Sequence, residues 1–438
     1  GGITLGAWVM TSYLCATAVM APLTGWLRRR YGARALFPGS IGLFVLASLL
    51  CALSPSVAAI LSSRILQGIA GGLIHPLGQA ILLDLHPRER HGRMLAIWGA
   101  VVMLGPVLGP LLGGIITDHA SWRWVFVINL PLGLFTVWGM RRALPRAEEL
   151  SKTAVDAWGM FLLMASIGAL QLCLSRGVGR NWLHSPELLA EAALTVGGFG
   201  LLAARARASG FTVLRIAVFK DLNFAAAGFY NFMSSALLFV AIVFLPALGQ
   251  GPLGYDATFA GLTIMPRAIL MMLAMLFAGR IIGKLDYRAI LAGGLLLMAV
   301  GLLMLSDLPV ADTAPWIIIG STIQAIGGGV LFTSLSTLAF STLPAEMRTD
   351  AAGIYSLLRQ LGCATGVVLM TGVLHHRIET NLLAAGAGSG ANAGGAVADM
   401  ATLRAYGTCF KLMAIAAVVV IPGILLFRQR RAAAVAEG

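Results

Sequence analysis

The sequence predicts an all-α polytopic membrane protein, thirteen transmembrane helices arranged as two bundles with two extra central helices. Three observations predict it. First, 11% of the 438 residues are charged and 58% are hydrophobic, with a mean hydropathy of +0.87. A soluble domain of this length carries more charge on its surface. Second, the uncharged runs 1–27, 35–63, 94–117, 222–255 and 313–345 each exceed the ~20 residues that cross a ~30 Å hydrocarbon core. Third, the chain repeats itself. QGIAGG at 67–72 recurs as QAIGGG at 324–329, an offset of 257, and Pro87, Glu89 and Ile97 meet Pro344, Glu346 and Ile354 in the same register. Gly25 and Arg34 meet Gly279 and Arg288 at an offset of 254. Three matches in register imply two homologous halves, a transporter signature.

In order, the predicted spans are 4–27, 35–53, 57–84, 94–117, 122–140, 157–175, 187–205, 222–247, 257–282, 289–306, 314–343, 351–376 and 404–427. The spans 157–175 and 187–205 lie between the halves and account for the length of the offset. Domain boundaries follow: 1–140 an N-terminal bundle, 141–156 a charged linker, 157–207 the additional pair, 208–428 a C-terminal bundle and 429–438 a tail. The Gly/Ala-rich loop 384–400 reads as external. Most of the 31 basic residues fall in alternate loops, at 28–34, 88–93, 141–152, 205–220, 280–288, 348 and 428–431. The intervening loops hold only Arg123, Arg176, Arg180, Arg377 and Arg404. That is the positive-inside pattern, and it puts the C-terminus in the cytoplasm. The excess of positive charge therefore reflects topology and contact with membrane lipid, and no nucleic acid is expected as a partner. The first span must run inward to deliver Arg28–Arg34, yet nothing ahead of it reads as a signal peptide, so a span preceding Gly1 is expected. The five cysteines fall inside apolar runs and read as small buried hydrophobes.

The segment GPVLGPLLGG at 105–114 places Gly105, Gly109 and Gly113 on one helix face, widened by Gly114, with Pro106 and Pro110 among them. Small residues on one face let a neighbouring backbone approach. Each proline removes a backbone donor and kinks the helix, which suits a bent helix sealing a moving interface. This segment resembles the antiporter motif of the major facilitator superfamily. WVMTSYL, GWLRRRYG, RILQGIAGG and SWRWVFVINLPLG, between 8 and 133, together with LQLCLSRG, GRIIGKLDYR and LLRQLG, resemble the fourteen-span EmrB/QacA group of multidrug exporters. The resemblance implies the major facilitator fold, proton-driven export of amphipathic drug-like substrates by alternating access, and a bacterial inner-membrane location. The thirteen spans become helices two to fourteen. Some members are similar in working with a periplasmic adaptor protein and an outer-membrane channel, which makes these candidate partners.

Three departures stand out. The family pattern has an aspartate where this chain has Arg29, so the latch that aspartate makes to a neighbouring helix must here differ or be weaker. Gly25, Arg30, Gly32 and Arg34 are retained as a cytoplasmic gating loop. The family also often has acids where Ser175 and Asn181 stand, and its first-helix carboxylate, the expected coupling group, lies outside this chain.

Ionisable groups predicted inside the membrane are Arg64, His75, Arg267, Arg359 and Lys411, with no carboxylate deep in a span. Each costs roughly 2.5–3.5 kcal/mol on insertion scales, so such groups normally face a cavity and mark function. Lys411, near an outer helix end, reads as snorkelling. On the third span Arg64, Gln67, Gly71, His75 and Gln79 form one polar, small-residue stripe matching the family's RxxQG motif. Arg267, Gln324, Arg359 and Gln360 are the second-half candidates for the substrate and proton pathway. His75 stands where the resemblance leads one to expect an aliphatic residue, and imidazole titrates in the range proton coupling needs. No P-loop, HExxH, paired-cysteine metal site or GxSxG is present, so neither a cofactor nor an enzyme is expected. The alternatives are a facilitator or symporter of a small, anionic metabolite and, more remotely, a membrane-embedded enzyme or sensor.

Overall fold

The computed structural model describes residues 2–144, 156–176, 185–209, 216–309, 312–385 and 395–427. Most of the linker 141–156, the centre of the loop 384–400 and the tail 429–438 lie outside them. Each predicted span meets a helix. These are α1 (Gly2–Met20) with its continuation α2 (Thr24–Tyr31), α3 (Ala33–Ala52), α4 (Val57–Asp84), α5 (His91–His119), and the pair α6 (Trp124–Val127) and α7 (Asn129–Ala143). There follow α8 (Ala157–Arg176), α9 (Pro186–Ser209), α10 (Leu222–Gln250), α11 (Ala257–Ile281), α12 (Tyr287–Ser306), α13 (Thr313–Ser341), α14 (Arg348–Ala384) and α15 (Gly395–Val419). Among the described residues eleven helices are long and apolar enough to cross a membrane.

The ends follow from local chemistry. Ser56, Asp221, Asp256 and Asp286 each stand just ahead of an apolar run, and each side chain accepts a hydrogen bond from a backbone N–H of the first turn. Asp156 does the same at α8, accepting from Gly159 N at 2.9 Å, and the Arg205 guanidinium of α9 donates to its carboxylate at 2.9 and 3.0 Å. The arginine above all, with the amide behind it, holds the Asp156 carboxyl below the usual carboxylate range. Gly32 takes φ 73° between α2 and α3, a left-handed turn that permits the abrupt change of direction there.

Three boundaries differ from the sequence reading. The first span ends at Met20, because the ring of Pro22 turns the chain through Ala21–Leu23 before α2 begins. At the twelfth predicted span, α14 runs eight residues past 376, since the polar segment HHRIETN stays helical. The last helix starts at Gly395 and stops at Val419, ahead of a 3-10 segment at Ile421–Leu426 containing Pro422.

The chain divides into two compact units. Unit 1 comprises residues 1–87, 108–218 and 344–364; unit 2 comprises 88–107, 219–343 and 365–438. This grouping by compactness places the additional pair α8 and α9 in unit 1, residues 88–107 of α5 in unit 2 and residues 344–364 of α14 in unit 1. The reason lies in small residues. Gly92 and Gly99 on α5 abut Ile282 and Phe332 in unit 2, whereas Gly353 on α14 abuts the carbonyl of Ala21 in unit 1. Unit 1 is built on clusters around Phe37, Leu73, Leu77 and Ile81, and around Leu23, Leu163 and Ile167. Unit 2 buries Met271, Met275 and Ala325 together, with Phe224, Phe340 and Phe410 wholly enclosed. On α7 the large apolar side chains Leu132, Leu134 and Phe135 are exposed, as expected where lipid is the solvent.

The internal repeat is visible in atoms. Gly72 on α4 faces the carbonyl oxygen of Thr17 on α1, where an added Cβ would stand at 2.6 Å. Gly329 on α13 meets the oxygen of Met271 on α11 at the same 2.6 Å, and these residues are related by the offsets 257 and 254. Arg34 donates to the Leu144 carbonyl at 3.2 Å beyond α7, and its counterpart Arg288 donates to the Phe427 carbonyl at 2.7 Å beyond α15.

Candidate functional site

The stripe on α4 is real but polar groups from other helices complete it. Arg64 donates from Nη1 to Gln67 Oε1 at 2.8 Å, and Gln67 Nε2 donates to Ser48 Oγ of α3 at 2.7 Å. Asn129 of α7 reaches the same hydroxyl at 3.4 Å. The Arg64 guanidinium stands over the Tyr13 ring of α1 at 4.9 Å and near that of Phe126 of α6 at 5.5 Å, a cation held by two aromatic faces. Arg64 is only partly buried. Gly71 leaves space for the Tyr13 hydroxyl, which would stand 2.9 Å from an added Cβ. Further along α4, Arg359 Nη2 of α14 lies 3.0 Å from His75 Nε2. Gln79 is buried, and its Nε2 has no hydrogen-bond partner among the described residues. Gln360 turns back to Ser356 Oγ on its own helix at 3.5 Å. Sequence reasoning missed Ser48, Asn129, Tyr13 and Phe126. Tyr13 and Phe126 were legible only as members of matched motifs, because an aromatic residue in an apolar helix looks like packing.

In unit 2, Arg267 of α11 donates to Gln324 Oε1 at 3.0 Å and to the Leu238 carbonyl at 3.2 Å, while Gln324 Nε2 donates to the Leu237 carbonyl at 3.2 Å. Arg267 is 4% exposed and Gln324 wholly buried. The sequence placed both in the pathway with Arg64; here they form a closed internal brace.

The glycine–proline helix differs from expectation. Among the described residues nothing lies within 4 Å of a Cβ added at Gly105 or Gly109, so the close approach predicted for that face is not made in this structure. Pro106, Pro110, Gly113 and Gly114 lie on α5, with their surroundings outside the described residues.

The basic loop answers the Arg29 departure. Arg29 of α2 pairs with Asp350 at the start of α14, and Gly25 lies so close to the Asp350 side chain that no Cβ would fit. Arg28 bridges Asp84 at 2.8 Å and Thr349 at 2.8 Å, and Arg348 reaches Asp84 at 3.2 Å. Asp350 has a side-chain exposure of 3%, and Arg29 supplies a charge to offset its own. The latch in this chain therefore places the cation on the loop and the acid on the helix. Gly32 supplies the left-handed turn and Arg34 ties the loop to the end of α7. Arg30 also makes contacts of its own.

A family model described as Major Facilitator Superfamily matches residues 2–367. The chain is 32% identical over 375 residues to "Multidrug export protein EmrB" of Escherichia coli (strain K12), covering 84% of this chain and 72% of that one. It is 31% identical over 378 residues to the protein of the same name from Haemophilus influenzae, covering 85% and 73%. The solved structure of the human organic anion transporter MFSD10 (TETRAN) superimposes with a TM-score of 0.65 at 17% identity, covering 94% of this chain and 83% of that one. The RxxQG stripe, the repeated bundle and these matches agree: the chain belongs to the major facilitator superfamily, as a multi-pass membrane protein of the EmrB multidrug-exporter type.

Proposed function

We propose that the protein is a proton-coupled exporter of amphipathic drug-like molecules working by alternating access in the bacterial inner membrane, with its C-terminus in the cytoplasm, and that it is not an enzyme. The observation that carries this is Arg64. A permanent cation in an apolar span, partly exposed, tied on one edge to Gln67 and faced by Tyr13 and Phe126, is costly unless something uses it. Aromatic faces suit the apolar body of a drug, and the guanidinium suits an anionic or polar end or a transient carboxylate partner. The open face at Gly105 and Gly109 leaves room for a helix to close in a second state, and the Arg29–Asp350 pair with its neighbours is the latch that holds the present one. Gln67, Gly71, Gln79 and Gln360 belong to the pathway around Arg64. An adaptor protein and outer-membrane channel belong to the same reading, tested by pull-down of the full chain from its host's membranes.

The decisive experiment uses everted vesicles holding the full chain. A proton gradient should be partly discharged on drug addition in the wild type and not in Arg64→Ala at equal expression. Drug movement that ignores the gradient would overturn proton coupling. A second reading, a facilitator or symporter of small anions, is favoured by one observation: the basic side chains Arg64, His75, Arg267 and Arg359 stand in the interior turns of α4, α11 and residues 351–364, where no Asp or Glu occurs. Downhill uptake of an organic anion, with no response to drugs, would establish it.

A further inference from the structure

His75 is the one residue of the stripe with an ionisable imidazole, and the atom it presents to Arg359 limits how that ring can take up a proton. A guanidinium has donors only, so the 3.0 Å contact requires the His75 Nε2 lone pair to accept, with no proton on that nitrogen. We infer that His75 and Arg359 form a proton-operated contact between α4 and α14: a proton taken from water by Nε2 makes an imidazolium, ends the Arg359 hydrogen bond and sets two cations face to face, driving α14 from α4.

Several features of the helix support a movement here. Pro76 follows directly, has no N–H, and so removes the bond that would close on the Gly72 carbonyl, leaving α4 weakest at the histidine. Gly71 and Gly72 on the preceding turn bear on Tyr13 and Thr17 of α1, so a change of bend at Pro76 moves a packed face. Arg359 is the charged group that bears on the imidazole. Among the described residues, the other titratable or charged groups on these helices are Tyr13 and Cys15 of α1, Arg34 and Cys51 of α3, Arg64 and Asp84 towards the two ends of α4, and, in α14 up to residue 364, Arg348 and Asp350 of its first turn and Tyr355 and Cys363, one turn to either side of Arg359. The contact lies on the helix whose first turn holds the latch acid Asp350, so displacing α14 at Arg359 also strains the Arg29–Asp350 pair nine residues away. In this arrangement His75 would load the proton that releases the latch.

The inference rests on the export reading only for its consequence in transport, so two readouts are used. The first needs no substrate. Protein carrying ¹⁵N-histidine, in lipid nanodiscs, should show a His75 Nε2 without a proton at pH 8, assigned by the signal that His75→Gln removes. The imidazolium should then form on acidification together with faster amide exchange in residues 355–363. In Arg359→Gln the imidazolium should form without that change in exchange, because the second cation is gone. A protonated Nε2 at pH 8, or exchange that rises equally in Arg359→Gln, overturns the inference. The second readout is drug-driven proton movement between pH 5.5 and 8. It should vary about tenfold in the wild type, the change that one pH unit of titration supplies, and less than about twofold in His75→Gln. Arg359→Lys should keep the pH dependence. Wild-type pH dependence in His75→Gln overturns the inference while leaving the export reading intact. Spectroscopic and exchange changes without any drug-driven proton movement support the contact and remove the export reading instead.

Discussion

Arg64 with Gln67 in unit 1 and Arg267 with Gln324 in unit 2 are two solutions built on one repeat. The glutamines are equivalent by the offset of 257, and both accept a hydrogen bond from a guanidinium, at 2.8 and 3.0 Å. The arginines are not equivalent. Arg64 comes from the same helix as its glutamine, whereas Arg267 occupies the place on α11 that Tyr13 occupies on α1, by the offset of 254. In both, Nε has no partner among the described residues, so that feature does not separate them. What separates them is enclosure. Arg267 is locked by the Leu238 carbonyl and a wholly buried Gln324, while Arg64 is partly exposed and faces two rings. The comparison teaches that equivalent glutamines can be met by arginines from different helices, enclosed in one unit and left partly exposed in the other.

The sharpest way to break this comparison is to truncate both arginines. Arg267→Ala leaves the buried Gln324 amide and Leu238 carbonyl unpaired at about 1–3 kcal/mol each, and should lose most folded protein on size exclusion. Arg64→Ala should keep its thermal midpoint within a few degrees yet lose drug-dependent proton movement. Arg64→Lys should recover part of that movement, since an ammonium lacks the planar fork. Equal loss of folded protein in both would make Arg64 a brace too. Next in size is the latch. Arg29→Asp sets two carboxylates together and should abolish transport and lower the yield, while Arg29→Asp with Asp350→Arg should restore at least half of the wild-type rate. Failure of the double exchange would show that Gly25 tolerates only the shorter acid beside it.

A smaller structural effect, with a full functional one, is expected at the open face. Gly109→Leu should insert and fold as the wild type does, because no described residue lies within 4 Å of a Cβ added there, and should still block export if that face must close. Wild-type export at equal expression would mean that the face looks to lipid in every state. The smallest effect concerns Asp156, ahead of α8. Its folded pKa is depressed, chiefly by Arg205, so the stability it contributes is present above the unfolded carboxylate value of about 4 and is lost as pH falls through the lower folded value. Asp156→Asn should lower the thermal midpoint slightly at pH 7, with the gap narrowing below about pH 4. Arg205 is 40% exposed, which keeps the effect small through screening.

By itself the sequence determined the helices, the repeat and the family. Long uncharged runs can only be spans, each aspartate or serine ahead of a run caps it, and equal offsets of glycine and arginine force equal packing in both halves, as Gly72 on Thr17 and Gly329 on Met271 show. It also picked Arg64, His75, Arg267 and Arg359, because a base in an apolar run is conspicuous wherever it ends up. Only the tertiary structure decided which of them is enclosed and which is available, that the partner of Arg29 is Asp350 and the partner of His75 is Arg359, and that α8 and α9 pack within unit 1. These are contacts between residues up to 321 positions apart. Helical periodicity states which face a side chain occupies, but not what the chain brings to that face from elsewhere, and enclosure, which separates a brace from a site, is a property of those distant neighbours.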